Sequence, residues 1–586
     1  MAVILRHVGT QSLLRDGCSP QPLTNHAQSP RPTNTKSLPV AMDFDENTET
    51  NHALRTIKWI EQYRAREGEL PDWMASFRPG HCCSRLNKMP LAGSFNFCFI
   101  FEFDDGVKWL ARLPVPGRAM DPDGKLRREV AVMKHIQTNT SIPVPAIHFW
   151  GMSADNSLGL GPFMIMDYVD GLRLGELWKD PTASRLSRHL KDISDRDLRI
   201  VHRQMARFSL ELYKLRFDKI GSLIIDDDGQ VSVQGPPLTW TMQEIEAHSG
   251  IKAGGDRLEP FDSSTEYFDW ITDMDWQHLE EQFNSVDDAA DARAKYVFQK
   301  LFRRTIPRFV SHDHAPFGLV CDDFRYGNML VNNEQDLHIV AVLDWEWSYT
   351  APLQLCHNPP RALWGKLPND LSEQRDELAR YKEFLDTFMD ELRREEEAQM
   401  DDSHGNSSSS SGDAQPKLSA LMQRSWDDGT FWFNEIILSC YMGGNDTAWK
   451  LLCKQYPEIA VVDDIEEEAL AEFVERKVRW REEYDEIERI YAADAAARKE
   501  KEAQEERDKA GSQGGDGAGG ETADEGGEKG DVGRDEVDDI HEQRVEEKEE
   551  EKSIEKEDDP GKAEEEKVSE REETQLVIRE KQAEQQ

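Results

Sequence analysis

The feature that most constrains the fold of this sequence is a short polar segment followed by two brief apolar runs and another acid. The segment Cys-Asp-Asp-Phe-Arg-Tyr-Gly-Asn occupies residues 321–328. Residues 329–331 and 339–343 then predict two short strands around a polar turn, and Asp344 begins the sequence Asp-Trp-Glu-Trp. We expect this pattern to bring polar side chains from a tight loop and from a strand end together.

The residue types in this pattern suit one kind of chemistry. Asp323 and Asn328 can supply an acceptor for a hydroxyl proton and an oxygen ligand for a metal ion. Asp344 can complete an oxygen site of the kind that Mg²⁺ prefers. The pattern therefore favours phosphoryl transfer, in which a carboxylate orients a hydroxyl and metal ions bridge the phosphates. Asp and Asn are also common turn formers, so a plain turn is the alternative interpretation.

The chain before this segment predicts an antiparallel sheet that carries one helix. Residues 95–103 and 107–113 are apolar runs separated by Asp-Asp-Gly, which is a strong hairpin signal. Residues 126–136 have helical spacing, and residues 163–168 predict another strand.

From about residue 171 the pattern becomes helical. Apolar residues recur at spacings of three and four between Val201 and Leu215, and residues 270–283 and 294–309 also predict helices. Residues 401–415 contain five consecutive serines and predict a flexible loop. The expected fold class is therefore α+β, with a small antiparallel sheet followed by a larger, mainly helical region.

Charge and composition exclude several function classes. The formal net charge of -43 argues against binding nucleic acids or anionic membranes, because an acidic surface repels phosphate groups. The eight cysteines show no paired spacing for zinc, and no apolar run is long enough to span a membrane. Reduced thiols and the lack of a signal peptide favour a cytoplasmic protein.

The two ends of the chain are expected to lie outside the folded region. Residues 1–50 are predicted to be a disordered or dispensable leader, with a mitochondrial transit peptide or a true start at Met42 as alternatives. Residues 492–586 form a charged low-complexity tail, which is predicted to be disordered or a solvated helix. The tail is either inert or a binding segment for a protein partner.

The order of these motifs resembles the catalytic loop and metal-binding Asp of the protein-kinase-like superfamily. It is most similar to the aminoglycoside phosphotransferase and choline kinase branch, and to fungal phosphotransferase-family proteins of undefined substrate. Residues 318–352, 217–223 and 163–168 carry the resemblance, which spans roughly residues 52–490. It implies a bilobal fold, with an N-lobe at residues 51–170 and a helical C-lobe at residues 171–491.

The resemblance also implies roles for individual residues. Asp323 falls at the catalytic base, and Arg325 falls where a cation lies near the transferred phosphate. Asn328 and Asp344 fall at metal ligands, and Glu346 either assists the metal or faces solvent. Asp322 is expected to shape the loop. Residues expected at the nucleotide are listed here: Gly93, Ser94, Asn96, Arg112, Glu129, Met166 and Tyr168.

Three departures from the family pattern bear on these roles. Cys321 stands where the common motif has His, and Arg112 stands where it has the phosphate-anchoring Lys. The glycine-rich loop is reduced to Gly-Ser-Phe-Asn at residues 93–96, which is also compatible with a plain turn. Met164, Met166 and Tyr168 alternate along a strand, as in an adenine pocket or in any buried strand.

The expected function is that of an ATP- and Mg²⁺-dependent phosphotransferase that acts on a hydroxyl of a small molecule. The alternative is a catalytically impaired pseudokinase that binds nucleotides or protein partners, which Cys321 and Arg112 favour. A protein kinase is disfavoured, because only seven residues separate Asp344 from Pro352 and leave no room for an activation segment. The pair of Arg112 and Glu129 is expected to be exposed and worth roughly 0–1 kcal/mol of stability.

Overall fold

A computed structural model gives the structure of this protein. The chain divides into two compact units that meet in sequence between Arg481 and Glu482, and the site and the elements described below lie in the first of them, except that the last helix continues into the second. The structure describes residues 45–182, 190–226, 228–371, 376–404, 416–439, 443–463 and 465–513.

The small lobe is built on a six-stranded antiparallel sheet with the strand order β1-β3-β4-β6-β5, in which β2 also pairs with β3. A tight turn with Gly106 at φ 83° joins β3 to β4, as the Asp-Gly signal predicts. The strands are β1 (Cys83–Arg85), β2 (Leu91–Ala92), β3 (Asn96–Phe103), β4 (Lys108–Pro114), β5 (Ile147–Gly151) and β6 (Phe163–Asp167).

Three helices pack against this sheet. Helix α1 (Glu46–Arg66) packs Trp59 and Tyr63 against Phe97 and Phe99 of β3, and helix α2 (Leu70–Ser76) packs Trp73 against Phe163 of β6. Helix α3 (Pro122–Asn139) begins at the N-cap Asp121, whose carboxylate accepts a hydrogen bond from the backbone N–H of Gly124. It is longer than the predicted segment at residues 126–136, because the capping Asp and the Pro at N1 lie before the apolar stripe.

The large lobe is mainly helical, and its core forms one continuous apolar cluster with α3 and β6. Its helices are α4 (Leu174–Leu177), α5 (Asp195–Lys214), α6 (Trp240–Ser249), α7 (Ser264–Glu281), α8 (Ala289–Phe309), α9 (Leu353–Cys356), α10 (Glu377–His404), α11 (Leu418–Asp427), α12 (Thr430–Ile437), α13 (Thr447–Gln455) and α14 (Glu467–Gln513). The α+β class with a sheet-bearing lobe and a helical lobe is therefore confirmed.

Three small antiparallel sheets lie in the large lobe, and two of them hold the polar segment identified from the sequence. Strand β10 pairs with β13, and β11 pairs with both β12 and β7, so residues 322–328 form a loop between the two sheets. The strands are β7 (Leu172–Arg173), β8 (Ser222–Ile225), β9 (Val231–Gln234), β10 (Gly318–Cys321), β11 (Met329–Val331), β12 (Ile339–Val342) and β13 (Ser348–Ala351).

The ends of the chain differ in part from the expectation of disorder. Helix α1 begins at Glu46, inside the predicted leader, because Asp45 caps it by accepting from the backbone N–H of Thr48. Helix α14 continues through Gln513, inside the predicted tail, where Ala, Glu, Lys and Arg dominate and favour a helix. Residues 1–44, 405–415 and 514–586 are outside the described part of the chain. Among the described residues, none of the helices is both long enough and apolar enough to cross a membrane.

Helix α1 also contacts the large lobe through α6. His248 on α6 lies 3.2 Å from the carboxylate of Glu49 on α1 and 3.5 Å from that of Glu244 on its own helix. His52 donates from Nδ1 to the backbone oxygen of Ala247 at 2.9 Å. Burial alone would lower the pKa of His248, but its hydrogen bonds to Glu244 and Glu49 outweigh burial and raise that pKa to about 9. The helix thus links the two lobes through a charged histidine.

This contact predicts a loss of stability at alkaline pH. A histidine whose pKa is raised on folding contributes stability below its unfolded pKa, and this contribution disappears as pH rises through the folded value. We expect the free energy of unfolding to fall by about 1–3 kcal/mol between pH 6.5 and pH 9 because of His248. Urea denaturation at both pH values measures this, and His248→Gln should remove that part of the pH dependence. An identical pH dependence in the variant would contradict the assignment.

Candidate active site

The site is built around Arg112, which lies on β4 and faces the cleft between the lobes. Its Nη1 lies 2.5 Å from Oε1 of Glu129 on α3. Its Nη2 lies 2.6 Å from Oε2 of Glu346 and also contacts the carboxylate of Asp344, both of which follow β12 in the large lobe. One guanidinium therefore joins a strand and a helix of the small lobe to the end of a strand in the large lobe.

The pair of Arg112 and Glu129 is brought together, but it is not exposed as the sequence had suggested. The side chain of Glu129 is 1% exposed and that of Arg112 is 8% exposed. Burial raises the pKa of Glu129, and the nearby Glu346 adds to this, while Arg112 opposes it. Burial would lower the pKa of Arg112, but Glu129, Asp344 and Glu346 together raise it. The expectation of an exposed pair was wrong, because α3 packs its Glu129 face into the sheet.

Glu346 is buried and bonded, so the alternative that it faces solvent is also wrong. Its Oε2 accepts a hydrogen bond from Nδ2 of Asn96 at 2.9 Å, in addition to its contact with Arg112. Lys125 on α3 also contacts the same oxygen through its ammonium group. Thus three donors from β3, β4 and α3 converge on one carboxylate of the large lobe.

Asp344 is the carboxylate of this cluster that reaches the cleft. Its side chain is 30% exposed, and its backbone takes the left-handed conformation at φ 67°. Burial raises the pKa of Asp344, but the charges of Arg112, Lys125 and Arg325 outweigh this effect and lower it overall. An Asp held in a sparsely populated backbone conformation directs its carboxylate where an ordinary strand end would not.

The loop after β10 holds Asp323, Arg325 and Asn328 in contact with one another. Oδ1 of Asp323 pairs with Nε of Arg325, and Oδ2 accepts from Nδ2 of Asn328 at 2.7 Å. The backbone N–H of Leu343 donates to the backbone oxygen of Asn328 at 2.7 Å. This hydrogen bond places Asn328 beside the chain that leads from β12 to Asp344. The predicted base, metal ligand and cation therefore share one loop.

Asp322, which precedes the predicted base, supports the loop through two hydrogen bonds. Asp322 accepts a hydrogen bond from the hydroxyl of Tyr349 at 3.2 Å and from the backbone N–H of Trp240 at 3.3 Å. Burial raises the pKa of Asp322 to about 6. These contacts tie the loop to β13 and to the start of α6.

The predicted glycine turn connects β2 to β3. The backbone N–H of Gly93 donates to the oxygen of Asn96 at 2.9 Å, and Ser94 is exposed at the bend. Phe95 packs its ring against Trp347 and Trp240 of the large lobe, with ring centroids 5.1 and 5.6 Å apart. The turn is thereby held down over the loop that carries the site.

Met164 and Met166 lie on the same face of the sheet as Arg112. Met164 is the cross-strand partner of Arg112, and Met166 is the partner of Leu110, so both methionines lie on the face of the sheet that carries Arg112. Tyr168 follows β6 and donates its backbone N–H to the oxygen of Lys108 at 3.2 Å. This is where the chain passes from the small lobe to the large one.

Lys125 is the residue that sequence reasoning missed. It is 1% exposed, although lysine is rarely buried. A signal was present, since Lys125 lies four residues before Glu129 and therefore on the same helix face. The predicted helix began one residue later, at Leu126, which left this face incomplete.

Asp344 is the member of a group of three carboxylates that is open to a divalent cation. Carboxylate oxygens of Glu129, Asp344 and Glu346 lie within 4.8 Å of one another. Oxygen ligands of this kind suit Mg²⁺, and Asp344 is the exposed member of the group. A cation held through Asp344 would replace Arg112 at that carboxylate.

Parts of this chain are similar to known proteins. A segment of 110 residues is 31% identical to "Altered inheritance of mitochondria protein 9, mitochondrial" of Debaryomyces hansenii, and it covers 19% of this chain and 16% of that protein. The solved APH(2")-IIIa complex with GDP and kanamycin is 13% identical, with a TM-score of 0.32, and covers 71% of this chain and 98% of its own. A Plasmodium vivax ethanolamine kinase is 10% identical, with a TM-score of 0.32. The match covers 69% of this chain and 82% of the kinase.

The sequence match to a family is more informative than these distant structures. Residues 92–354 match the model of the family described as the phosphotransferase enzyme family. The match starts in β2, ends in α9 and includes every residue from Gly93 to Glu346 that was predicted for the site. Over residues 92–354, this chain is therefore similar to the phosphotransferase enzyme family.

Proposed function

We propose that this protein transfers the γ-phosphoryl group of ATP to a hydroxyl of a small molecule, with Mg²⁺ as the metal. The observation that carries the proposal is the bridge from Arg112 to Glu129 in one lobe and to Asp344 in the other. This bridge lies where the strands β4 and β12 meet the cleft, beside the loop of Asp323 and Asn328. Support also comes from the family match over the same residues.

Each side chain of the site has a part in this reaction. Arg112, oriented by Glu129, neutralises the nucleotide phosphates, and Arg325 neutralises charge on the transferred group. Asn328 and Asp344 would hold the metal, which would shield the charge of the phosphates. Met166 and Tyr168 line the adenine end of the cleft, and the turn of Gly93, Ser94 and Asn96 covers its phosphate end.

The chemistry is a displacement at phosphorus. The acceptor oxygen forms a bond to the γ-phosphorus, and the bond from that phosphorus to the β,γ-bridging oxygen breaks, so that ADP leaves. The hydroxyl proton passes to the carboxylate of Asp323 and then to solvent. Nε of Arg325 pairs with Oδ1 of Asp323, and Nδ2 of Asn328 donates to Oδ2. Together these two contacts hold the carboxylate in one orientation.

We propose a small acceptor and not a peptide. The chain continues from Asp344 directly into β13 at Ser348–Ala351, whose residues are buried and paired with β10. This leaves no exposed segment there on which a substrate peptide could dock.

A cytoplasmic location remains our proposal, with import into mitochondria as the alternative that a C-terminal fluorescent fusion would reveal. Whether the charged tail binds a protein is likewise a proposal for the second unit.

Binding of Mg²⁺-ATP tests the proposed function directly. At a hundred times its dissociation constant a ligand stabilises the folded state by about 2.7 kcal/mol, which corresponds to roughly 3 °C in melting temperature for a folded region of this size. We expect this shift in a thermal-shift titration of the full chain, and we expect Asp344→Ala to lose most of it. ATP with a chelator is the matched control. No shift at millimolar Mg²⁺-ATP would reject the proposal.

One observation favours the alternative of a catalytically impaired protein. Arg112, Arg325 and Asn328 are all engaged by carboxylates of the protein itself, and Cys321 stands where the family motif has His. Burial raises the pKa of the Cys321 thiol, so this side chain is neutral and structural. On this alternative the protein binds nucleotide without turnover. A shift with Mg²⁺-ATP, together with no ADP formation across a panel of hydroxylated metabolites, would support it.

A further inference from the structure

The geometry points to Lys125 as a positioning residue that holds Glu346 and so frees Arg112 to bind the nucleotide phosphates. This inference rests on the proposed nucleotide binding and adds a residue that the family motif does not include. It also gives Glu346 the role of a buried counterion, whereas the sequence had suggested a metal ligand.

Lys125 is placed so that it stays in the site. Its ammonium group contacts Glu346 and lies 5.4 Å from the ring centroids of both Phe95 and Trp347. Its side chain and that of Glu346 are each 1% exposed. Rings above and beside the ammonium stabilise its charge through their negative faces. The ammonium of Lys125 is therefore surrounded by Glu346 and two aromatic rings and is shielded from water.

The cluster holds more acids than one arginine can serve. Arg112 contacts three carboxylates, those of Glu129, Asp344 and Glu346. With Lys125 included, two cations face three anions, and the exposed carboxylate is that of Asp344. A buried carboxylate that loses its cation is strongly destabilised, so each acid in this cluster competes for Arg112.

Lys125 changes the outcome of this competition. For the guanidinium to bind phosphate, its Nη2 must leave Asp344 and Glu346. Glu346 then keeps two donors, the ammonium of Lys125 and Nδ2 of Asn96 at 2.9 Å. Without the lysine, Glu346 would hold Arg112 more tightly, and the nucleotide would have to break that pair in a dry environment.

The neutral variant Lys125→Met measures this effect. We expect it to weaken Mg²⁺-ATP binding by at least tenfold in calorimetric titrations of the full chain, at a temperature where circular dichroism shows it to be folded. In steady state, the KM for ATP should rise more than kcat falls. Arg127→Met is the matched control, because Arg127 is an exposed cation on the same helix. Its affinity should stay at the wild-type level.

A double variant separates positioning from a merely structural role. K125M/E346Q removes both charges, so Arg112 is no longer held by Glu346, and we expect affinity to return to within about threefold of wild type. If Lys125 had only a structural role, the double variant would have a higher melting temperature than Lys125→Met, but the two variants would bind Mg²⁺-ATP with the same affinity. The double variant also replaces Lys125→Met as the test if the single variant does not fold.

Three outcomes would count against the proposal. Wild-type affinity in folded Lys125→Met would overturn this inference alone. A double variant that folds but binds at least tenfold more weakly would show that Glu346 or Lys125 acts directly on the metal or the nucleotide. Wild-type protein that does not bind Mg²⁺-ATP would overturn both this inference and the proposed function.

Discussion

Asp323→Asn is expected to lower phosphoryl transfer by about a hundred- to ten-thousand-fold while Mg²⁺-ATP affinity stays within about threefold of wild type. The amide has the shape of the carboxylate but cannot take a proton from the acceptor hydroxyl. Its oxygen can still face Nε of Arg325, which contacts Oδ1 in the native loop. The measurements are the rate of ADP formation with an acceptor found by screening, and nucleotide affinity by calorimetry.

An exposed acid nearby provides the control for Asp323. Asp336 lies in the turn between β11 and β12 and accepts a hydrogen bond from Nδ2 of Asn333 at 2.9 Å. Asp336→Asn should keep the wild-type rate, because Asp336 lies in the exposed turn of the β11–β12 hairpin and not in the loop that holds Asp323. Equal rates in Asp323→Asn and wild type would remove Asp323 from the role of base. Loss of nucleotide binding in Asp323→Asn would show that the loop has changed shape.

Arg112→Met is expected to destabilise the fold by about 3–5 kcal/mol, because it leaves buried carboxylates without their cation. Glu129 and Glu346 are each 1% exposed, and Asp344 loses its contact as well. This is a much larger effect than the small change expected when the pair was taken to be exposed. Urea denaturation measures it, and Arg112→Lys should recover part of the loss by restoring the charge without the fork.

A surface pair shows whether this loss is specific to burial. Arg78 and Asp105 form a two-pronged pair at the turn of β3 and β4, with both N···O distances at 2.7 Å. The side chains of Arg78 and Asp105 are 23% and 37% exposed, so Arg78→Met should change stability far less than Arg112→Met. A loss of less than about 1 kcal/mol in Arg112→Met would equal that of an exposed ion pair. Such a result would contradict the prediction and would mean that the cluster relaxes and exposes its acids to water.

Much of the fold followed from local pattern. Residues 95–113 alternate apolar residues around Asp-Asp-Gly, and the structure has a hairpin there with strands of seven and eight residues. The helix expected through Val201 and Met205 spans Asp195–Lys214, and its buried face includes both residues. Turn residues and apolar spacing act over a few neighbours, so a single sequence is enough to reveal them.

Local pattern also located the polar residues of the site, but their partners came from the tertiary fold. Asp323 and Asn328 were five residues apart on a predicted loop, and the structure bonds them at 2.7 Å. Nothing local indicated that Lys125 would meet Glu346, which is 221 positions away. Such a pair depends on how α3 docks on the large lobe, and no spacing rule covers that separation.

The order of elements and the identity of the polar residues were therefore within reach of the sequence, because hairpins, helix faces and short loops are decided by adjacent residues. Burial of the ion cluster was decided by packing. Helix α3 turns Lys125 and Glu129 inward, and the turn at Phe95 covers them with aromatic rings. Burial changes an ion pair from a weak surface contact into a strong constraint, since charges removed from water must find partners. That change depends on residues from both lobes meeting, and only the folded chain brings them together.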